Sequence, residues 1–425
     1  MNIFKSNKNS EVASVFKGML TLAKGAVFAR IIGLVSIPVL TRIYSPEDYG
    51  VLALYTSLIA ILAPIFTFRY VQAIPLPKTD KMAINLFSVC LALILMSSLF
   101  IAVILFFFSE TILNWFDMRA LAPWWPVIVL GAAGTALYEL FSLWATRKKQ
   151  YKIIAKTQVT QSFFGNLTKI LMGLFSFKPA GLLIGQFIAQ SGGVGSFIKQ
   201  SLPDFIKLKS QVTKSRSTFI SSYYRGFPVF RLPSQILMSL SLQAPTLMMA
   251  ALFSKESTGQ LSLAMVALNL PITLIVRAVS KAYYAEISSI GKNNIEKIRR
   301  ITFSVQKKLF LIGFPLTIVT MFVAEYAFVV IFGNEWLKAG QMAVVLAPFM
   351  LLQFTSLPLI EAINVVGSQI HFLILSIIRV LGLIIMFVGS IYFHVQESTF
   401  LIMLSAYLTL FYLFTSFFVV FSMRK

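Results

Sequence analysis

The sequence predicts an all-α polytopic membrane protein with about 12 transmembrane helices, arranged as two parallel six-helix lobes around a central cleft. Three observations support this fold class: the composition, the recurrence of long apolar segments, and a short internal repeat. The 425 residues are 57% hydrophobic and only 12% charged, and the mean hydropathy is +0.82. Soluble globular domains do not have such a composition.

Apolar segments of about 20 residues, the length that crosses the hydrocarbon core of a bilayer, recur along the chain. Each is predicted to be a helix, because backbone amides in lipid must find partners within their own segment. The predicted spans are residues 18–43, 49–74, 82–108, 121–146, 157–177, 179–198, 224–253, 259–287, 309–332, 339–366, 370–393 and 399–421. A Lys- and Ser-rich stretch follows the sixth span, so the predicted organisation is a lobe at 1–198, a cytoplasmic inter-lobe loop at 199–223 and a lobe at 224–425.

A short repeat relates the two halves. Residues 44–54 read YSPEDYGVLAL and residues 253–263 read FSKESTGQLSL, at a constant offset of 209. The identical pairs are Ser45 with Ser254, Glu47 with Glu256, Gly50 with Gly259, Leu52 with Leu261 and Leu54 with Leu263. Each serine can cap the helix that follows it, and an acidic first turn suits the helix dipole. Because six spans is an even number, the repeat is parallel, and two such lobes would suit alternating access around a cleft.

The net charge of +22 reflects membrane topology. With a cytoplasmic N-terminus, the cytoplasmic loops and tails with their bordering residues hold 25 of the 37 Lys and Arg residues, and the opposite side holds five. This asymmetry predicts that both termini are cytoplasmic. Tryptophans near the predicted outer interface agree with this orientation: Trp115, Trp124, Trp125 and Trp336. Topology thus accounts for the basic excess, and no nucleic-acid partner is predicted.

Basic residues outnumber acidic residues inside the predicted spans. The basic ones singled out are Lys24, Arg30, Arg69, Lys169, Arg231, Arg277 and Arg379. A charge at membrane depth costs about 2.5–3.5 kcal/mol on insertion scales, so it usually faces the protein interior and has a function. Arg30 and Arg379 lie near mid-helix, which favours a functional interpretation. The other five lie closer to helix ends, where a side chain can also extend to the interface.

Arginine predominates among these residues, and its planar guanidinium donates paired hydrogen bonds to phosphate oxygens. The predicted cleft therefore suits a phosphate or pyrophosphate passenger better than an organic cation. Glu139 and Glu361 lie in corresponding helices, the fourth of each half. They are candidates for pairing with arginines, for binding a coupling cation or for simple packing, and pairing is slightly favoured.

The stretch GAVFARIIGLVSIPVLTRIYSPEDYGVLALY, at residues 25–55, resembles the Wzx-type oligosaccharide flippases. These flippases form the polysaccharide-transporter branch of a superfamily that also contains lipid II flippases and MATE exporters. The resemblance covers nearly the whole chain in topology. In sequence motif the resemblance covers the first helical hairpin and the repeated stretch at residues 253–263.

The resemblance implies a flippase of the bacterial inner membrane that serves O-antigen-like or other lipopolysaccharide-associated glycan synthesis. Its substrate would be an undecaprenyl-pyrophosphate-linked oligosaccharide, moved from the cytoplasmic to the periplasmic leaflet, and a polysaccharide polymerase would be a further partner. Arg30, Arg69 and Arg277 are the pyrophosphate-binding candidates by position. The wider set of cleft candidates adds Lys24, Arg231 and Arg379. Transport would draw on an ion gradient, with Na⁺ or H⁺ left open.

Two other functions remain as alternatives. A MATE-like exporter of cationic small molecules would need acidic residues in its cleft, and no Asp lies in any predicted span. A membrane polymerase or glycosyltransferase would need a sizeable external loop with catalytic groups, whereas the longest predicted one, residues 109–120, contains Glu110 and Asp117 as its only carboxylates. The sequence predicts no catalytic residue, no metal site and no cofactor.

Overall fold

The computed structural model describes residues 3–115, 118–365 and 369–423. These residues form sixteen α-helices, joined by short 3-10 and π segments, and contain no β-strand. The α-helices are α1 Ile3–Ile43, α2 Pro46–Phe66, α3 Asp80–Trp115, α4 Trp125–Arg147, α5 Tyr151–Leu174, α6 Ala180–Ser191, α7 Val194–Leu208, α8 Lys214–Tyr223, α9 Leu232–Leu252, α10 Lys255–Pro271, α11 Arg277–Ile290, α12 Ile295–Phe332, α13 Leu337–Ser356, α14 Glu361–Val365, α15 Gln369–Tyr392 and α16 Glu397–Ser422. Val366, the predicted end of the tenth span, lies outside the described residues.

Eleven helical stretches of this described part are long and apolar enough to cross a membrane. They coincide with eleven of the twelve predicted spans, so the chain is an all-α, multi-pass membrane protein. The fifth predicted span, residues 157–177, lies on α5, which has 24 residues but carries many Lys, Gln, Asn and Thr side chains. Residues 199–223, predicted as a loop, contain the end of α7 and the whole of α8.

The first compact unit consists of Met1–Tyr44 and Leu54–Ile236. In it α1 packs on α5, α5 packs on α6, and α4 packs on both α3 and α6. The rings of Phe87, Trp144 and Phe205 form a cluster with centroids 4.8 to 5.5 Å apart. Aromatic contacts of this kind add to the stabilisation that comes from burying the rings, and they join α3, α4 and α7.

The second compact unit consists of Ser45–Ala53 and Leu237–Lys425. Helix α13 packs against α10, α12 and α16. Lys338, near the start of α13, donates a hydrogen bond of 2.8 Å to the Glu397 carboxylate at the start of α16. Ser257 of α10 donates to the same carboxylate at 2.8 Å. One partly buried ion pair therefore joins three helix starts.

The predicted serine caps are present at both repeated helix starts. The Ser45 hydroxyl accepts a hydrogen bond from the Asp48 amide at 3.3 Å, and the Ser254 hydroxyl accepts one from the Ser257 amide at 3.0 Å. The Ser45 amide also donates to the Asp48 carboxylate at 3.1 Å. The first cap is therefore a reciprocal capping box, which satisfies two amides that the helix leaves without partners.

Two glycines of the repeat allow the starts of α2 and α10 to meet in backbone contact within the second unit. A methyl group on Gly50 would overlap the carbonyl oxygen of Lys255, and a methyl group on Gly259 would overlap that of Pro46. Pro46 and Lys255 are themselves separated by the repeat offset of 209. The contact is therefore reciprocal, and a Cβ at either glycine would force the two helices apart.

We expect Gly50→Ala and Gly259→Ala each to destabilise the folded protein by about 1–3 kcal/mol, the usual cost of overpacking. The double variant should lose less stability than the two single variants lose together, because both methyl groups separate the same two helices. The measurement is the melting temperature of the purified protein in detergent. Gly33→Ala is the matched control, since no atom lies within 4 Å of a Cβ built there. Melting of the three variants at the control's temperature would contradict the prediction.

Candidate functional site

The chain reverses sharply after α2, and this reversal positions Arg69. Phe68 and Arg69 both have positive φ angles, 46° and 59°. The left-handed conformation is uncommon for residues other than glycine and costs about 1–3 kcal/mol. The Arg69 amide donates to the Pro64 carbonyl oxygen at 3.3 Å, so the turn closes on the last helical turn of α2. The sequence predicted that Arg69 lies inside the second span, residues 49–74, but the helix ends at Phe66, so Arg69 lies in the turn that follows it.

The Arg69 side chain lies in a polar cluster within the first unit. Its Nη1 is 3.3 Å from Oε1 of Glu139 on α4, and its Nη2 donates to Oε1 of Gln235 on α9 at 3.3 Å. Gln72 donates to the same Glu139 oxygen at 2.6 Å. The side chains of Arg69 and Glu139 are 17% and 29% exposed, respectively. The structure therefore brings together one predicted arginine and one predicted carboxylate.

The two Arg69 contacts are longer than the 2.7–2.9 Å typical of charge-assisted hydrogen bonds. Glu139 Oε2 accepts no hydrogen bond from the described residues, since Arg69 and Gln72 both donate to Oε1. The cluster therefore holds the guanidinium loosely and retains a free acceptor. Chemically, it can exchange Arg69 between protein oxygens and another anion.

Arg379 lies on α15 in the second unit, half-buried against α16. Its Nη1 donates to the Tyr412 hydroxyl at 3.3 Å, and its guanidinium carbon is 5.7 Å from the ring centroids of Phe411 and Tyr412. Within the described part of the chain, no carboxylate oxygen lies within 4.0 Å of it. Aromatic faces and a phenol thus take the place of an anion around this cation.

Two of the predicted arginines flank π-helical segments. Arg231 ends the π segment Phe227–Arg231, which contains Pro228. Arg277 directly follows the π segment Ile272–Val276, which comes after Pro271. Both arginine side chains are exposed. π segments in α-helices are frequent at functional sites, so these two positions share a local geometry that the sequence did not predict.

The remaining candidates have different environments. Lys24 is exposed and Arg30 is half-buried on α1. One residue before Arg30, the Ala29 carbonyl oxygen accepts a hydrogen bond of 2.6 Å from Ser162 on α5, which fixes this part of α1. Glu361 is half-buried at the start of α14. Lys169 is buried and donates to Gln186 at 2.7 Å, so its side chain is held inside the first unit.

Arg69 and Arg277 end corresponding helices of the predicted repeat, yet their surroundings differ. Arg69 is mostly buried and paired after a broken helix, whereas Arg277 is exposed in a helix that continues through α11. The contributors that sequence reasoning missed are Gln72, Gln235 and Tyr412. Gln235 carried a signal, because a polar amide inside a predicted span needs a partner.

The chain matches the family model described as polysaccharide biosynthesis protein over residues 39–341. It belongs to that family. It is 22% identical over 348 residues to the succinoglycan biosynthesis transport protein ExoT of Rhizobium meliloti (strain 1021), and the alignment covers 80% of this chain. The alignment covers 66% of ExoT, just under two thirds of that relative's length.

Solved transporter structures share the fold of this family member. The lipid II flippase MurJ in an inward closed conformation matches 96% of this chain and 88% of its own, with a TM-score of 0.68 and 15% identity. An inward-facing multidrug resistance MATE family transporter matches 92% of this chain and 94% of its own, with a TM-score of 0.65 and 14% identity. These matches confirm the fold class, and the family match over residues 39–341 confirms the predicted resemblance to polysaccharide transporters.

We expect the Arg69–Glu139 pair to contribute about 1 kcal/mol of coupling, more than a fully exposed pair because water screens it less. The measurement is a double-mutant cycle on the free energy of unfolding, with Arg69→Ala, Glu139→Ala and the double variant. The exposed pair Arg300–Glu296, with side chains 79% and 72% exposed, provides the control cycle. Equal coupling in the two cycles would show that the cluster does not hold Arg69.

Proposed function

We propose that this chain is a flippase for undecaprenyl-pyrophosphate-linked oligosaccharide repeat units, moving them from the cytoplasmic to the periplasmic leaflet by alternating access. The observation that carries the proposal is the state of Arg69, a guanidinium group held loosely by one carboxylate and one amide in a transporter fold. A pyrophosphate offers such a group shorter, paired hydrogen bonds. The family's role in polysaccharide biosynthesis supports a saccharide passenger.

Glu139 would allow Arg69 to release a bound phosphate and return to its resting contact. Gln72 donates to Glu139 at 2.6 Å, so the carboxylate keeps a position near Arg69 after the guanidinium turns to a phosphate. Glu139 can then compete for Arg69 and displace the phosphate. Coupling of this exchange to an ion gradient is part of the proposal, and the ion is left open between Na⁺ and H⁺.

The further binding groups that we propose are Arg30, Arg277, Arg379, Lys24 and Arg231, with Glu361 as a second charge partner. We propose the bacterial inner membrane as the location, with both termini in the cytoplasm, and the lipid-linked glycan and a polysaccharide polymerase as partners. The relatives reported above are named as transport proteins, which supports transport over catalysis.

A MATE-like exporter of small molecules is the second candidate function. The fold similarity favours it almost equally, with a TM-score of 0.65 for the MATE transporter against 0.68 for MurJ. A strain that lacks the gene distinguishes the two candidate functions. Loss of the flippase leaves lipid-linked repeat units on the cytoplasmic face, whereas loss of an exporter increases sensitivity to small toxic cations and leaves the glycan unchanged.

We expect Arg30→Ala to reduce glycan export by about tenfold or more, because hydrogen bonds to a charged group are worth about 1.5–3 kcal/mol. Arg30→Lys should restore part of the activity, since an ammonium keeps the charge but loses the planar donor pair. The measurement is surface polysaccharide in the complemented deletion strain, with membrane insertion checked by immunoblot. Arg299→Ala on the exposed face of α12 is the control. Normal export in Arg30→Ala would remove Arg30 from the mechanism.

The proposed orientation predicts the outcome of reporter fusions. Alkaline phosphatase fused after Ser257 should be active, because the start of α10 would lie on the periplasmic side. The same enzyme fused after Lys209, in the segment between α7 and α8, should be inactive because cytoplasmic positions carry the excess of Lys and Arg. The reverse pattern of activity would invert the topology.

A further inference from the structure

A groove next to Arg69 in the first unit has the composition of an anion-binding site. It is open to the surface, has a volume of about 490 Å³ and is lined by Tyr70, Val89, Ser217, Thr218, Ser221, Ser222 and Arg225. Four of these seven residues carry aliphatic hydroxyl groups, one carries a guanidinium, and none is acidic. The volume lies in the range of small-molecule sites, about 300–1,000 Å³.

The hydroxyl groups and the guanidinium lie on one face of α8 and its continuation. Ser217, Ser221 and Arg225 are spaced by four residues, and so are Thr218 and Ser222. Residues four apart lie above one another on a helix. The side chains of Thr218, Ser222 and Arg225 are exposed and make no hydrogen bond or ion pair with the described residues. These three groups therefore remain available to a ligand.

Contacts at both ends of α8 hold this face in place. Asn85 on α3 is fully buried, and its Oδ1 accepts hydrogen bonds from the Thr213 amide at 3.0 Å and the Ser217 hydroxyl at 3.2 Å. Its amide nitrogen donates to the Gln211 carbonyl oxygen at 3.0 Å. Tyr70 donates to the Ser221 carbonyl oxygen at 3.1 Å. The groove is thus pre-formed, which lowers the entropic cost of binding.

We propose that this groove binds a phosphate-class anion. Arg225 supplies paired guanidinium donors and Thr218 and Ser222 supply hydroxyl donors, a combination that matches phosphate oxygens. Tyr70, in the wall of the groove, is the residue next to Arg69, so the groove and the Arg69 cluster are adjacent. The site would hold the head group of the lipid-linked substrate before it reaches Arg69, and this identification of the anion's source rests on the proposed function.

The test measures binding of farnesyl pyrophosphate to the purified full-length protein in nanodiscs of phosphatidylcholine. We expect Arg225→Ala to weaken binding by about tenfold, the Thr218→Ala/Ser222→Ala double variant to weaken it by about threefold, and Arg225→Lys to recover part of the loss. Lys214→Ala, on the same helix but outside the groove, is the matched control and should bind as the wild type does. Equal binding by all the variants and the wild type would overturn the proposal.

A second measurement distinguishes the two possible sources of the anion, the substrate head group and an anionic phospholipid. Phosphatidylglycerol added to the nanodiscs should leave farnesyl pyrophosphate binding unchanged if the groove serves the substrate head group. Competition that disappears in Arg225→Ala would assign the groove to an anionic phospholipid instead. Failure here is distinguishable from failure of the flippase proposal: intact export with Arg225-independent binding removes the groove alone, whereas normal export in Arg30→Ala challenges the transport mechanism.

Discussion

A guanidinium group withdrawn from water needs hydrogen-bond partners from the protein, because a buried charge without partners is strongly destabilising. The chain meets this constraint in two ways. Arg69 is bound by the Glu139 carboxylate and the Gln235 amide, whereas Arg379 is bound by the Tyr412 hydroxyl and faces two aromatic rings. The first arrangement contains an anion that can compete with a substrate, and the second does not. The proposed exchange of a phosphate is therefore assigned to Arg69.

The interruptions of the helices explain why related positions differ. After α2 the chain adopts two positive φ angles, at Phe68 and Arg69, and the Arg69 side chain contacts Glu139 on α4. After α10 the chain passes through the π segment Ile272–Val276 and continues as α11. Arg277 thus remains on a helix surface. Positions that correspond in the predicted repeat can therefore have unlike surroundings when one helix breaks and the other continues.

Different residues of this molecule hold the helices together and remain available for binding. The ring cluster around Phe87, the Lys338–Glu397 ion pair and the glycine contact between α2 and α10 hold helices together. Polar groups of the first unit that keep spare bonding capacity include one oxygen of Glu139 and the exposed face of α8. Rigid packing around such groups keeps them oriented, which is how proteins build binding sites of defined geometry.

The sequence by itself determined the membrane-spanning helices, the serine caps and the family, because hydrocarbon length, helix periodicity and capping chemistry are local properties. It also indicated which charged residues need partners. Only the tertiary structure decided that Arg69 pairs with Glu139, 70 residues away, and that α8 folds back onto Asn85 to form a groove. The fifth predicted span is less apolar than expected, since α5 places polar groups against α1 and α6. Such pairings depend on which helix faces pack together, and no local sequence pattern specifies this packing.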